Sequence, residues 1–259
     1  RDRRHLRLLL RAAADGEALE ERGPEPRRMK RFYSKVAAEP QEGGWQVTLD
    51  GRGIKTVGRR PQIVPTAALA EALAQEWERQ GERIDPGDFP LRDMADYAID
   101  VVAGDRQAVA HKLVAYADTD TLLYRADPDE PLYARQCELW EPILTAFEAR
   151  EGITLRRISG IVHAPQDEAA LAMLRERVAA LDPFTLAALE AMTSLAASLC
   201  TGLSALEPEA DGRALWQAAS LEEEWQAQLW GRDAEAEARR ERREADFLRG
   251  AEFARLAQA

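Results

Sequence analysis

The sequence predicts an α+β fold in which a small β-rich part precedes a larger, mainly helical one. Trp45, Val47 and Leu49 alternate with polar residues up to an Asp50-Gly51 pair, the pattern of a half-buried strand entering a tight hairpin. Beyond Pro65 the apolar period changes from two to 3.6, with Leu69, Leu73 and Trp77 on one helical face. The chain of 259 residues is long enough for one large domain or two ordinary ones, either of which buries a core without disulfides or metal.

Taken in order, residues 1–30 are rich in Arg, Ala and Glu and close on Gly23-Pro24-Glu25-Pro26, a loose arm ending in a breaker. Arg1, Arg3, Arg4, Arg7 and Arg11 resemble an organelle transit peptide, but Asp2 intrudes and hydroxyl residues are absent, which favours a bacterial N-terminal helix or a misplaced start. The hairpin follows, its return strand placed at Ile54 to Val57, and a further short strand at Gln62 to Val64 ends at Pro65. Thr66 is placed to cap the first helix and Gly81 to end it. Trp77, on that helix's apolar stripe, is assigned to packing against the hairpin sheet.

Helices are then expected at Asp93 to Ala103, Asp105 to Ala117, Glu130 to Glu151, Asp167 to Leu181 and Pro183 to Leu203, interrupted by a strand at Ile153 to Val162. The helix after Pro183 carries Ala187, Ala188, Ala191, Ser194, Ala197 and Ser198, and small residues on successive turns permit the close approach of a central buried helix. From Glu209 the chain reads as two charged helices around Trp230-Gly231. The Arg239 to Arg243 run is interleaved with Glu235, Glu237, Glu241 and Glu244 and reads as a solvated helix face rather than an RNA-binding patch.

A net charge of -11 and an isoelectric point near 5.0 argue against general nucleic-acid binding, which needs clustered Lys and Arg. No apolar run approaches the roughly 20 residues that span a bilayer, so no membrane insertion is expected. Cys137 and Cys200 both sit in apolar helical patterns and read as buried free thiols in a reducing compartment. His5, His111 and His163 lack ligand spacing, so no metal is expected. There is no phosphate-binding loop and no cofactor motif. No serine elbow or activated cysteine supplies a nucleophile. Carboxylates are too abundant for any one acid pair to be informative.

One stretch differs from its surroundings: Leu221 to Asp233, where Trp225 and Trp230 stand among Glu222, Glu223 and Glu224 and Gly231 ends the helix. Two readings are open. Either the tryptophans belong to the core and the glutamates are solvated, or the segment is a recognition surface of aromatic anchors with an acidic rim.

The run Phe32-Tyr33, Trp45 to Thr56, Val64-Pro65-Thr66 leading into Glu76-Trp77, Tyr116 to Arg125, Gln136 with Trp140, Gly160 to Gln166, Leu181 to Phe184 and Trp216 to Asp233 resembles, in order and spacing, the Atp-twelve assembly chaperones of mitochondria and α-proteobacteria. The resemblance runs from residue 31 to about 240. It implies a β-rich N-terminal domain over 31–100 with a first packed helix, and a helical C-terminal domain over 101–259, with residues 1–30 as an unmatched arm. It implies a monomeric chaperone, not an enzyme, without cofactor. That chaperone binds the unassembled α subunit of the ATP synthase F-one sector until the β subunit replaces it, in the cytoplasm of a bacterium or the mitochondrial matrix of a eukaryote. The residues expected to meet the partner are Glu222, Glu223, Glu224, Trp225, Gln226, Trp230 and Asp233. The alternatives are a carboxylate-dependent hydrolase with its site in an interdomain cleft, or a helical adaptor for another protein.

Overall fold

A computed structural model describes residues 29–160 and 163–259. The N-terminal arm expected over 1–30 therefore lies outside the described residues, apart from Met29 and Lys30. The described chain divides into two compact units. One runs to Asp105 and takes in Pro183–Ala188 and Glu252–Ala259; the other comprises Arg106–Asp182 and Leu189–Ala251.

In the first unit, β1 (Val36–Gln41) and β2 (Gly44–Leu49) pair antiparallel, from Val36 opposite Leu49 to Gln41 opposite Gly44. β3 (Arg52–Gly53) and β4 (Ile63–Val64) also pair with β2, β3 at Thr48 and Leu49 and β4 at Trp45 and Gln46. The expected Asp50-Gly51 turn joins β2 to β3 with φ of 50° and 76°, a left-handed pair that Asp and Gly tolerate. The Asp50 carboxylate accepts the N–H groups of Lys35 at 2.8 Å and Ser34 at 3.1 Å, and these bonds hold its pKa below the usual carboxylate value.

The return strand expected at Ile54 to Val57 is realised only as β3, just before it: Ile54 N–H still donates to Val47 O at 3.0 Å, but Thr56 N–H turns to Arg60 O at 2.9 Å and acid side chains take the donors that follow. Val57 N–H donates to Asp96 at 3.0 Å, and Gly58 N–H and the Thr56 hydroxyl donate to Asp100 at 2.7 and 2.8 Å. Residues 54–57 are thus clamped as a loop. The longer partner of β2 is β1, whose Val-Ala-Ala-Glu-Pro-Gln run carries no strand alternation.

α1 (Ala67–Glu78) starts as expected, with the Thr66 hydroxyl accepting Leu69 N–H at 3.1 Å, and it lies against β1 and β2 with Leu69 and Leu73 buried. It ends ahead of Gly81, where the Gln80 amide donates to Glu76 O. Trp77 is half-buried and meets the rings of Tyr33 at 5.6 Å and Phe89 at 4.6 Å, so its ring partners flank the sheet rather than belong to the hairpin.

α2 (Pro90–Asp100) begins three residues before the expected Asp93, because Pro90 suits a first helical position and the Glu76 carboxylate accepts Leu91 and Arg92 N–H at 2.8 and 2.9 Å. Burial pushes Glu76 up to about 6, these donors opposing it. Burial likewise pushes Asp96 up to about 6.

In the second unit, α3 (Arg106–Asp118), α4 (Pro131–Glu151) and α5 (Glu168–Ala179) fall within a residue or two of their expected spans. Asp167 caps α5 by accepting Ala169 N–H at 3.2 Å. The strand expected over Ile153 to Val162 is realised only as β6 (Ile158–Ser159), parallel to β5 (Tyr124–Arg125); Ile161 and Val162 lie outside the described residues.

The long helix expected from Pro183 to Leu203 is broken. α6 (Pro183–Ala196) stops at Ala197, φ 47°, and α7 (Leu199–Ser204) restarts behind a Ser198 cap. Buried Asp120 fixes the restart by accepting Cys200 N–H at 2.9 Å, and Gly202 admits the Thr193 hydroxyl where a Cβ would stand 2.5 Å from it. Cys200 is buried as expected and burial pushes its thiol up, whereas Cys137 is only half-buried.

After α7 the chain forms three helices instead of two: α8 (Gly212–Ala219), α9 (Leu221–Trp230) and α10 (Ala234–Ala257). The additional break falls at Ser220, whose hydroxyl donates to Trp216 O at 2.8 Å.

Candidate partner-binding surface

The segment singled out in the sequence is α9 with its flanks. α4 bonds both to the start of α9 and to the end of α8 before it. The buried Gln136 amide donates to Glu222 Oε1 at 2.7 Å and accepts Ala126 N–H at 2.9 Å. One turn further along, the buried Trp140 indole donates to Ala218 O at 2.8 Å. Glu222, Glu223 and Glu224 occupy the first turn of α9, where unsatisfied N–H groups and the helix dipole favour negative charge.

The three glutamates have different surroundings. Glu222 is bonded to Gln136, and burial of its carboxyl raises its pKa against that bond. Glu223 pairs with Arg243 at 2.7 Å. Glu224 pairs with Arg232 at 2.5 Å and Arg240 at 3.0 Å. Asp233 is turned to local use, its carboxylate accepting Ala236 N–H at 2.9 Å at the start of α10. The sequence reading did not bring these basic partners to the site. Arg240 and Arg243 lie in the run read as a solvated face, yet both turn toward α9 and are only 17% and 28% exposed in their side chains.

The tryptophans divide as well. Trp225 is half-buried and lines a groove of about 570 Å³ with residues of α4, α8 and α10. Gln226 is exposed. Trp230 is 79% exposed and its neighbour Leu229 62%, immediately before Gly231 ends the helix at φ 98°. A solvent-facing Leu-Trp pair is a feature that burial energetics do not account for. Leu229 was not singled out in the sequence; its place beside Trp230 at a glycine-terminated helix end was the available signal. Among the described residues, no group of three or more His, Cys, Asp or Glu is placed to hold a metal ion.

Comparison with known proteins puts this architecture in the class of chaperones. Residues 30–148 match the family described as ATP12 chaperone protein. The crystal structure of Atp12 from Paracoccus denitrificans is 40% identical, covering 88% of this chain and 98% of that one, with a TM-score of 0.84. The mitochondrial atp12 protein of Schizosaccharomyces pombe is 26% identical over 220 residues, 80% of this chain and 75% of that protein. The mitochondrial ATP12 protein of Saccharomyces cerevisiae is 26% identical over 247 residues, 78% and 76% of the two chains. The chain belongs to the ATP12 chaperone family, whose role is in ATP synthase assembly. Among the described residues, no helix is long and apolar enough to cross a membrane.

Proposed function

We propose that this chain binds the unassembled α subunit of the ATP synthase F-one sector and holds it until the β subunit replaces it, without catalysis. The observation that carries the reading, beside family membership, is the exposed Leu229-Trp230 end of α9 above an acid-rich first turn. A subunit interface bared before assembly is a large apolar patch prone to aggregation. A protein that covers it stoichiometrically releases it by competition and mass action.

In this reading Trp225 and Trp230 supply apolar area, Gln226 a polar contact, and Glu222 an exposed acid on the same helix. Glu223 and Glu224 act mainly by fixing α9 against α10, and Asp233 by capping the start of α10. The chaperone works as a monomer, in the cytoplasm of a bacterium or the mitochondrial matrix of a eukaryote. The acids pushed up to about 6, Glu76 and Asp96, are each engaged in binding backbone N–H groups of their own unit, so no observation favours the hydrolase alternative. Co-expression with the cognate α subunit, followed by pull-down with and without β, tests the proposal. A one-to-one complex that β displaces is expected; an α subunit that stays aggregated and unbound overturns it.

A further inference from the structure

The groove beside α9 has a chemistry of its own. Its apolar lining comes from Leu139, Leu221 and Trp225, and its volume of about 570 Å³ suits a few inserted side chains rather than a flat contact. Glu224, Glu237, Glu241 and Glu244 line it against only Arg135 and Arg240, so the lining is acidic in sum. Three of those acids are already committed, Glu224 and Glu237 to Arg232 and Arg240, and Glu244 to Arg213. Glu241 has no ionic partner among the described residues and borders the groove from α10.

A half-buried indole from α9 and an exposed, unpaired carboxylate from α10 border the same groove and ask for an apolar side chain and a cation on one ligand. We propose that this groove docks a basic amphipathic segment of the client protein, an apolar residue seated against Trp225 and a Lys or Arg beside Glu241. The inference rests on the chaperone reading above and deepens it, because it fixes where on the molecule a client is gripped and which client residues are gripped. It also gives Trp225 a task distinct from that of Trp230: the first lines a cleft, the second stands at an open helix end.

The test uses the full chain and synthetic 20-residue peptides tiling the cognate α subunit, one of each labelled with fluorescein and followed by anisotropy. Peptides that combine Lys or Arg with an apolar residue one helical turn away are expected to bind and to displace the whole α subunit, with affinity falling as salt rises. Glu241→Lys is expected to weaken them about tenfold or more, since it sets like charges against each other, while Glu241→Gln has a smaller effect and Trp225→Leu weakens them with an unchanged helical circular-dichroism signal. If α binds wild type, Glu241→Lys and Trp225→Leu equally and no basic peptide competes, the groove proposal fails while the chaperone reading stands. Equal binding of acidic and basic peptides also overturns it. If wild type binds no α subunit, the function proposed above falls, and selective binding of basic peptides abolished by Glu241→Lys still supports the groove.

Discussion

Trp77 and Trp230 both sit in the last turn of a helix, yet one is flanked by aromatic rings and the other stands in solvent. Trp77 lies between Tyr33 and Phe89, with the Arg92 guanidinium 5.8 Å from its ring and the Tyr33 hydroxyl donating to its own carbonyl at 2.6 Å. Around it Glu76 and Asp96 bind the backbone of α2 and of the loop after β3. At Trp230 the neighbours are exposed Leu229 and a glycine that ends the helix. The first region spends its aromatic and acidic groups on internal order. The second is ordered at its base by Gln136 and Trp140 and left bare at its tip, an arrangement suited to presenting side chains outward.

Breaking the ring-flanked tryptophan should have the largest effect. Trp77→Arg removes ring contacts on two sides and sets a cation among Tyr33 and Phe89; it is expected to cost about 3 to 5 kcal/mol, measured by urea denaturation. A soluble variant with an unchanged midpoint would show that the aromatic cluster is not what holds the first unit. Next comes the base of α9. Gln136→Leu strands Ala126 N–H and Glu222 Oε1 without a protein partner and is expected to cost about 2 kcal/mol. The loss should appear as faster amide exchange over residues 220–226 together with a weaker α-subunit complex; exchange unchanged there would mean that the Gln136 bond does not order the start of α9.

How far the sequence discloses this arrangement depends on how local the cause is. The Asp50-Gly51 turn and the Thr66 cap were legible because each is decided within four residues. β1 was not, since its residues show no alternation and its strand state comes from β2 needing a partner. The break at Ala197 was hidden by an unbroken run of small residues; Ser198 before Leu199 was a cap signal, but what enforces it is Asp120, 80 positions from Cys200. At the candidate site, the motif Leu221 to Asp233 stood out in composition. The pairing of Glu223 and Glu224 with Arg243 and Arg240, 20 and 16 positions away, depends on how α10 runs beside α9, which no local pattern encodes.

Two carboxylates of the first unit give that unit a pH signature of its own. Glu76 and Asp96 are pushed up to about 6 by burial, so between about pH 4 and about pH 6 the folded chain holds protons that the unfolded chain has released. Their contribution is therefore fully present at the acid end and lost as pH rises through the folded values. Each is expected to account for on the order of 1–2 kcal/mol, allowing for residual solvent screening. Urea denaturation of wild type and of Glu76→Gln/Asp96→Asn at pH 4.5 and 7 checks this: the wild type should lose more stability than the variant on going to pH 7. An equal loss in both would assign the pH dependence to other groups.

The smallest expected effect on stability is also the most informative about function. Trp230 is 79% exposed, so Trp230→Ala removes little buried area, and its unfolding free energy should stay within about 0.5 kcal/mol of wild type, as for an ordinary surface change. If Trp230 is an interface anchor, the same substitution should weaken the α-subunit complex by about 2 kcal/mol or more, the range typical of a tryptophan hot spot, and should act mainly on the dissociation rate. Surface plasmon resonance with immobilised chaperone separates the two rates. Loss of binding with stability intact would place the tip of α9 in the interface. A variant that binds α as wild type does would leave the groove at Trp225 as the gripping surface, and Trp230 would then be an exposed residue without a part in holding the client.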